Sequence, residues 1–322
     1  MIKRIWENNN IISLILRPLS FLYFIVIKIY MVLKKQRVCS IPVICVGNVT
    51  LGGAGKTPTV IEIRRLLRKH INNIFVLTRG FKGKKKGPLI VENNSNVIDV
   101  GDESLLHVRQ GPTCMAKKKI DGAALCEKFN SNLIIMDDGL QSIDIKKNLK
   151  ILVVDGQFGF GNEKLFPSGP LREPVKDCIA RSDIIIVIDP RKKLKDLNKI
   201  PKKKIFFEKK IISFKKFLNK RIFVFSAIAN NDGFHNSLRN NGLKIQRIKN
   251  FSDHYYFKKK EIIRIIDQAK KENLSIVCTE KDFTKVPSEL KKYIIPIKLN
   301  LEINESKRLV KLILEKIKFK KV

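Results

Sequence analysis

The segment Thr50-Leu51-Gly52-Gly53-Ala54-Gly55-Lys56-Thr57 carries the residue types needed to hold a chain of phosphates. It follows a continuous apolar run, IPVICVGNV (41–49), that reads as a buried strand. It precedes PTVIEIRRLLRKH (58–70), whose apolar spacing reads as a helix. The pattern departs from G-x-x-x-x-G-K-[ST] in having Thr50 at the first glycine position. Its three glycines let backbone N–H groups fold inward around anionic oxygens, and the helix start adds partial positive charge. Lys56 would reach the β- and γ-phosphates, and the Thr57 hydroxyl would ligate Mg²⁺.

Such a site needs an acidic partner at the end of a neighbouring strand. LIIM (133–136) followed by Asp137-Asp138-Gly139 supplies it, with one carboxylate holding the metal directly or through water. A guanine-reading N-K-x-D is missing. Its nearest strings, Asn198-Lys199-Ile200-Pro201 and Thr279-Glu280-Lys281-Asp282, do not fit, which favours ATP over GTP. Phosphoryl transfer also needs a place for the acceptor proton. Asp102 and Glu103, in VGDE (100–103), precede a helix, where carboxylates often serve as caps. His254 lies in the aromatic stretch FSDHYYF (251–257), where a core or surface role is equally open. An Asp102–His254 pair would form only if the fold brings two distant parts of the chain together.

The elements around these residues alternate. Strands are expected at 73–80, 133–136, 150–155 and 183–189, with helices at 104–110 and 120–130. A second cycle runs through 221–230, 261–273, 274–280, 293–303 and 305–318. The fold class is α/β: a P-loop-type, mostly parallel sheet domain over 38–200, a basic linker over 201–220, and a smaller α/β domain over 221–322. Residues 1–37 are expected to form a hydrophobic, membrane-associated N-terminal helix. Residues 11–33, IISLILRPLSFLYFIVIKIYMVL, would span about 35 Å as a helix. Arg17-Pro18 and Lys28 interrupt them, Lys3, Arg4, Lys34, Lys35 and Arg37 flank them, and no small-residue cleavage site comes after them. A membrane anchor, an interfacial helix and a helix packed on the domain all remain open.

Lys and Arg total 65 against 30 acidic residues in a chain of 322, a formal charge of +35. That field attracts polyanions, yet Lys, Ile and Asn are all abundant, so compositional bias accounts for it equally well. Nothing resembles a recognition helix or an aromatic RNA-binding motif, and no specific nucleic-acid or protein partner is expected. The six cysteines form no C-x-x-C pair and read as buried thiols.

Taken in order, GNVTLGGAGKTP (47–58), LTRGF (77–81), VGDE (100–103), MDDGLQ (136–141), VVDGQFGFGNEKLFPSGPLREP (153–174), FSDHYY (251–256) and TEKDFTK (279–285) resemble the bacterial tetraacyldisaccharide 4′-kinase family, the lipid A kinases. The resemblance covers nearly the whole chain. Departures from the family pattern fall at Thr78, Phe81, Lys82, Ser104 and Ser142. The resemblance implies transfer of the ATP γ-phosphate to the 4′-hydroxyl of a tetraacyldisaccharide 1-phosphate, giving lipid IVA, at the cytoplasmic face of the inner membrane. It implies that Lys56 and Thr57 hold phosphates and metal, that Asp137 and Asp138 bind Mg²⁺ with help from Glu103, that Asp102 acts as base and that His254 supports it. Gln141 and Arg172 are implied as substrate contacts. The competing reading is a membrane-associated P-loop ATPase switch with no lipid acceptor.

Overall fold

The computed structural model describes residues 6–8, 10–33, 36–190, 197, 200–213 and 221–318. Lys3, Arg4, Lys34 and Lys35, and residues 191–196, 198–199 and 214–220 of the basic stretch, lie outside the described residues.

The strands are β1 (Val43–Gly47), β2 (Ile74–Thr78), β3 (Leu89–Ile90), β4 (Thr113–Met115), β5 (Leu133–Asp137), β6 (Leu149–Asp155), β7 (Ile184–Ile188), β8 (Ile205–Ser213), β9 (Arg221–Ser226), β10 (Lys244–Asn250), β11 (Ser275–Thr279) and β12 (Ile294–Ile303). They form one 12-stranded sheet in the order β10-β9-β11-β12-β8-β7-β6-β1-β5-β2-β4-β3. Every pairing is parallel except β12 with β8 and β3 with β4. The mostly parallel α/β sheet expected from sequence is therefore present.

Its central strands are unbroken apolar runs because both faces are covered. Residues of β1, β2, β5, β6 and β7 are buried along almost their whole length. One face packs on the helices Lys56–Leu67 and Ser306–Lys316 through Val60, Ile63, Leu67, Leu309 and Ile313. The other packs on Ala123, Cys126, Val175 and Cys178 from the helices Lys119–Lys128 and Val175–Ala180. All six cysteines are free, and five are buried. Arg64 is also fully buried, where its guanidinium donates to the carbonyls of Ile74, His107 and Pro112.

Two departures from the sequence expectation change how the chain is divided. Within the expected linker 201–220, Ile205–Ser213 form β8, paired with β7 on one side and β12 on the other. The lysines before it and Lys209-Lys210 within it concealed a strand of which Phe206 and Glu208 are buried while Phe207 and Lys209 are exposed. Within 221–322, β12 changes partner partway along. Ile294–Ile297 pair with β11, whereas Lys298–Ile303 pair with β8. Leu301, Ile303 and the helix Ser306–Lys316 then join the core built on β1.

Residues 11–33 form two helices, Ile11–Ile15 and Arg17–Leu33, parted at Leu16. Pro18 falls in the first turn of the second, where its missing N–H is tolerated. Among the described residues no helix is long and apolar enough to cross a membrane. These helices dock through both polar and apolar side chains, with Tyr23, Phe24 and Ile27 half-buried and Tyr23 edge-on to Phe166. Ser20 Oγ donates to Leu165 O and meets Ser168 Oγ at 2.9 Å, and Lys164 Nζ donates to Ser13 Oγ. Ile11, Ile15, Phe21 and Val26 point outward, each more than 60% exposed.

Candidate active site

The phosphate loop leaves the C-terminal end of β1 and runs into the helix Lys56–Leu67. Its first residues are anchored, not free. Leu51 N–H donates to Pro170 O, Arg172 N–H donates to Val49 O, and Asn48 Nδ2 donates to Thr50 O and Oγ1. Thr50 is buried in this lattice, so its side chain replaces glycine at a position that supports the loop from behind. Gly52 to Thr57 then line a cleft of about 1440 Å³. Gly55 adopts φ +83°, and a Cβ there would collide with Ile188 Cδ1, so the helix entry requires glycine.

β5 lies beside β1 with Val46 opposite Asp137, which sets the acidic pair against the loop. Thr57 Oγ1 donates to Asp137 Oδ2 over 2.9 Å. Lys56 Nζ donates to Asn48 Oδ1 and lies 3.5 Å from Asp138 Oδ2. Arg172 forks onto Asp138 at 3.1–3.3 Å and also donates to Gln141 Oε1. Gln141 Nε2 in turn donates to Asn48 O and Glu173 Oε1. Gln141 and Arg172 thus brace the phosphate loop and the acidic pair while lining the cleft. Asp138 sits at φ 53°, in the left-handed region. Strain of that kind is retained where a fold must aim a side chain.

Sequence reasoning missed two groups beside Asp137. His107 Nε2 meets Asp137 Oδ2 at 2.8 Å, and Lys119 Nζ donates to Asp137 O at 2.9 Å. Burial alone would raise the Asp137 carboxyl; the His107 hydrogen bond, the Lys56 charge and the Thr57 hydroxyl outweigh it and hold it below the usual range. Burial pulls the Lys119 ammonium down, against the opposing pull of Asp137 and Asp138. Glu103 lines the same cleft, and burial followed by the Asp137 charge pushes its carboxyl up.

Asp102 and His254 do meet. His254 Nδ1 lies 3.0 Å from Asp102 Oδ1 and 3.0 Å from Oδ2. Lys281 Nζ stands 3.0 Å from His254 Nε2, so the proton sits on Nδ1 and is donated to Asp102. Phe81 packs edge-on against the imidazole with centroids 4.8 Å apart. His254 holds φ 58°, and its N–H donates to Ala227 O. Below it Lys285 and Asp282, both fully buried, pair at 2.7 Å, and Lys285 Nζ lies 3.8 Å from Asp102 Oδ2. Burial opposes ionisation of Asp102, but the His254 hydrogen bond and the Lys281 and Lys285 charges prevail and lower its carboxyl. Lys281 and Lys285 are four apart in TEKDFTK, a spacing that could have marked them as one cluster.

Loops leaving strands at both ends of the sheet wall the cleft. Gly52–Thr57 come after β1, Arg79 and Phe81 after β2, and Asp138 after β5; Asn230 comes after β9, His254 after β10, and Lys281 after β11. Carboxyl ends of parallel strands are where open α/β sheets bind ligands.

The family model LpxK, tetraacyldisaccharide-1-P 4′-kinase, matches residues 12–318. A tetraacyldisaccharide 4′-kinase of Bradyrhizobium diazoefficiens is 36% identical over 311 residues, covering 94% of this chain and 91% of that one. Another, from Paramagnetospirillum magneticum, is 32% identical over 302 residues, with 92% and 93% covered. A crystal structure of an "apo" form of LpxK from Aquifex aeolicus in complex with ATP superposes with a TM-score of 0.75 at 26% identity, covering 95% of this chain and 99% of that one. With its ordered motifs gathered around one cleft and residues 12–318 matched, the chain belongs to the tetraacyldisaccharide-1-P 4′-kinase family.

Proposed function

We propose that this chain is the ATP-dependent kinase that phosphorylates the 4′-hydroxyl of a tetraacyldisaccharide 1-phosphate in lipid A biosynthesis. The observation that carries the reading is the cleft itself. A phosphate loop lines one wall and His254 and Lys281 line the other, with the buried Asp102 carboxylate 3.0 Å behind His254 Nδ1.

Gly52–Thr57 and Lys56 would cradle the ATP phosphates, with Lys56 already oriented by Asn48. The chemistry of the donors fits Mg²⁺: the Thr57 hydroxyl, Asp137, Asp138 and Glu103 offer oxygen alone. Asp137 Oδ1 is moreover buried with no hydrogen-bond partner among the described residues. When bound, the cation would neutralise charge on the transferring phosphoryl group. Asp102, ionised at neutral pH, would accept the proton of the sugar hydroxyl. His254 would hold that carboxylate in place, with Lys281 fixing the imidazole tautomer.

An acceptor with acyl chains needs an apolar approach. The N-terminal helices keep Ile11, Ile15, Phe21 and Val26 exposed even though Ser13, Ser20 and Tyr23 contact the protein, so apolar side chains remain uncovered on their outer face. We read them as an interfacial element lying on the inner membrane surface at its cytoplasmic side. A cavity of about 480 Å³ is lined by Phe24, Ile27 and Met31 of the second helix and by Arg172, which also bonds Asp138. The chain is read as a P-loop kinase domain over 38–200 and a C-terminal α/β domain that contributes His254 and Lys281.

The test is incubation of the purified protein with labelled ATP, Mg²⁺ and the disaccharide lipid, followed by thin-layer separation. Label in the lipid supports the reading. Release of labelled phosphate with none in lipid supports the ATPase alternative.

A further inference from the structure

Asp137 is unevenly satisfied. Its Oδ2 receives the Thr57 hydroxyl at 2.9 Å and His107 Nε2–H at 2.8 Å, whereas Oδ1 is buried without a hydrogen-bond partner among the described residues. A bare buried carboxylate oxygen is costly unless a ligand completes it. His107 is 0% exposed, its backbone carbonyl accepts from the buried Arg64 guanidinium at 3.2 Å, and its Nδ1 is buried without a hydrogen-bond partner among the described residues, so Asp137 is the one hydrogen-bond partner shown for the ring. It also lies four residues after Glu103, on the same face of the helix Asp102–Val108, and Glu103 lines the cleft.

We propose that His107 is a positioning residue. By occupying Asp137 Oδ2 with its Nε2–H, it leaves Oδ1 as the oxygen presented to the divalent cation that accompanies the nucleotide. This rests on the reading of Asp137 as a cation ligand. A second hydrogen bond on the rear oxygen of a ligating carboxylate fixes the carboxylate plane and tunes affinity, and its loss costs about 10- to 100-fold in metal binding.

The experiment uses Mn²⁺ as the probe, followed by its EPR signal, with the full-length protein and a non-hydrolysable methylene analogue of ATP. Two amide variants separate donor position from packing. The Gln amide nitrogen of His107→Gln falls where Nε2 was; that of His107→Asn falls near Nδ1 and cannot reach Asp137. His107→Gln should bind Mn²⁺ within about threefold of wild type, and His107→Asn at least about tenfold more weakly. Analogue binding without metal should be the same in both. Equal Mn²⁺ affinity in all three proteins, or an equal loss in both variants, would overturn the proposal. Asp137→Asn is the control: wild-type Mn²⁺ affinity in that variant would remove Asp137 as ligand, a failure of the underlying reading that the His107 variants alone would not reveal.

Discussion

His254 Nδ1 stands 3.0 Å from both carboxylate oxygens of Asp102, although 152 residues separate the two in sequence. The contact joins a helix start near β4 to the loop after β10, from opposite ends of the sheet. On the proposed reading, it makes the acceptor side of the site depend on the relative placement of those ends. Asp102→Asn should therefore lower turnover by about 10²–10⁴-fold with little change in ATP affinity. His254→Ala should cost less, about 10- to 100-fold, because a charge-assisted hydrogen bond is lost but the proposed base, Asp102, remains. Steady-state kinetics beside nucleotide-binding titrations measure both; a His254→Ala enzyme with normal turnover would take His254 out of the mechanism.

Lys281 donates to the far nitrogen of the same imidazole. Lys281→Met keeps the stem and removes the donor, so the Nδ1–H tautomer is no longer enforced. Turnover is expected to fall about tenfold while the Michaelis constant for ATP holds. The nitrogen shifts of His254 should show the Nε2–H tautomer gaining population in the variant. Unchanged shifts and unchanged turnover together would speak against the role.

The Lys285–Asp282 pair is fully buried on both sides, and Asp282 also accepts from Ala227 N–H and Thr279 Oγ1. Lys285→Met would leave a buried carboxylate without its countercharge. A loss of about 3–5 kcal/mol in unfolding free energy is expected. Urea denaturation of the variant reads it directly, and a loss under about 1 kcal/mol would show that the pair is dispensable.

Outward apolar side chains on the N-terminal helices should govern attachment to lipid. Replacing Ile15, Phe21 and Val26 together by Ser removes side chains whose burial contributes about 1.5–3 kcal/mol each. Cosedimentation with anionic vesicles should drop by well over tenfold, while the melting temperature of the body stays near wild type. Retained vesicle binding would assign attachment to the basic surface.

Much of this site was legible because its residues sit where local patterns are strongest. VICVG before a glycine turn and LIIM before two aspartates can be read as central strands, since burial on both faces leaves no alternation to misread. β8 and β10 were not legible, because Lys209-Lys210 interrupt the apolar pattern of the first and Lys244, Arg247 and Lys249 that of the second, which lies at the sheet edge. The helix Asn231–Asn240 begins with Asn-Asp-Gly, which reads as a turn until the Asn230 cap on Gly233 N–H is seen. His107 and Lys119 were hidden for another reason: each acts through Asp137, and no local spacing links them to it. Lys281 was visible only as part of a motif without an assigned task.

The most direct test of the account is single-turnover transfer from labelled ATP prebound to enzyme and Mg²⁺, started by adding the disaccharide lipid. Wild type should move label to the lipid; Asp102→Asn should bind ATP as tightly yet transfer at least about a hundredfold more slowly; Lys56→Ala should transfer almost none. Wild-type transfer by the Asp102→Asn enzyme, or ATP consumed by wild type with no labelled lipid, would contradict it.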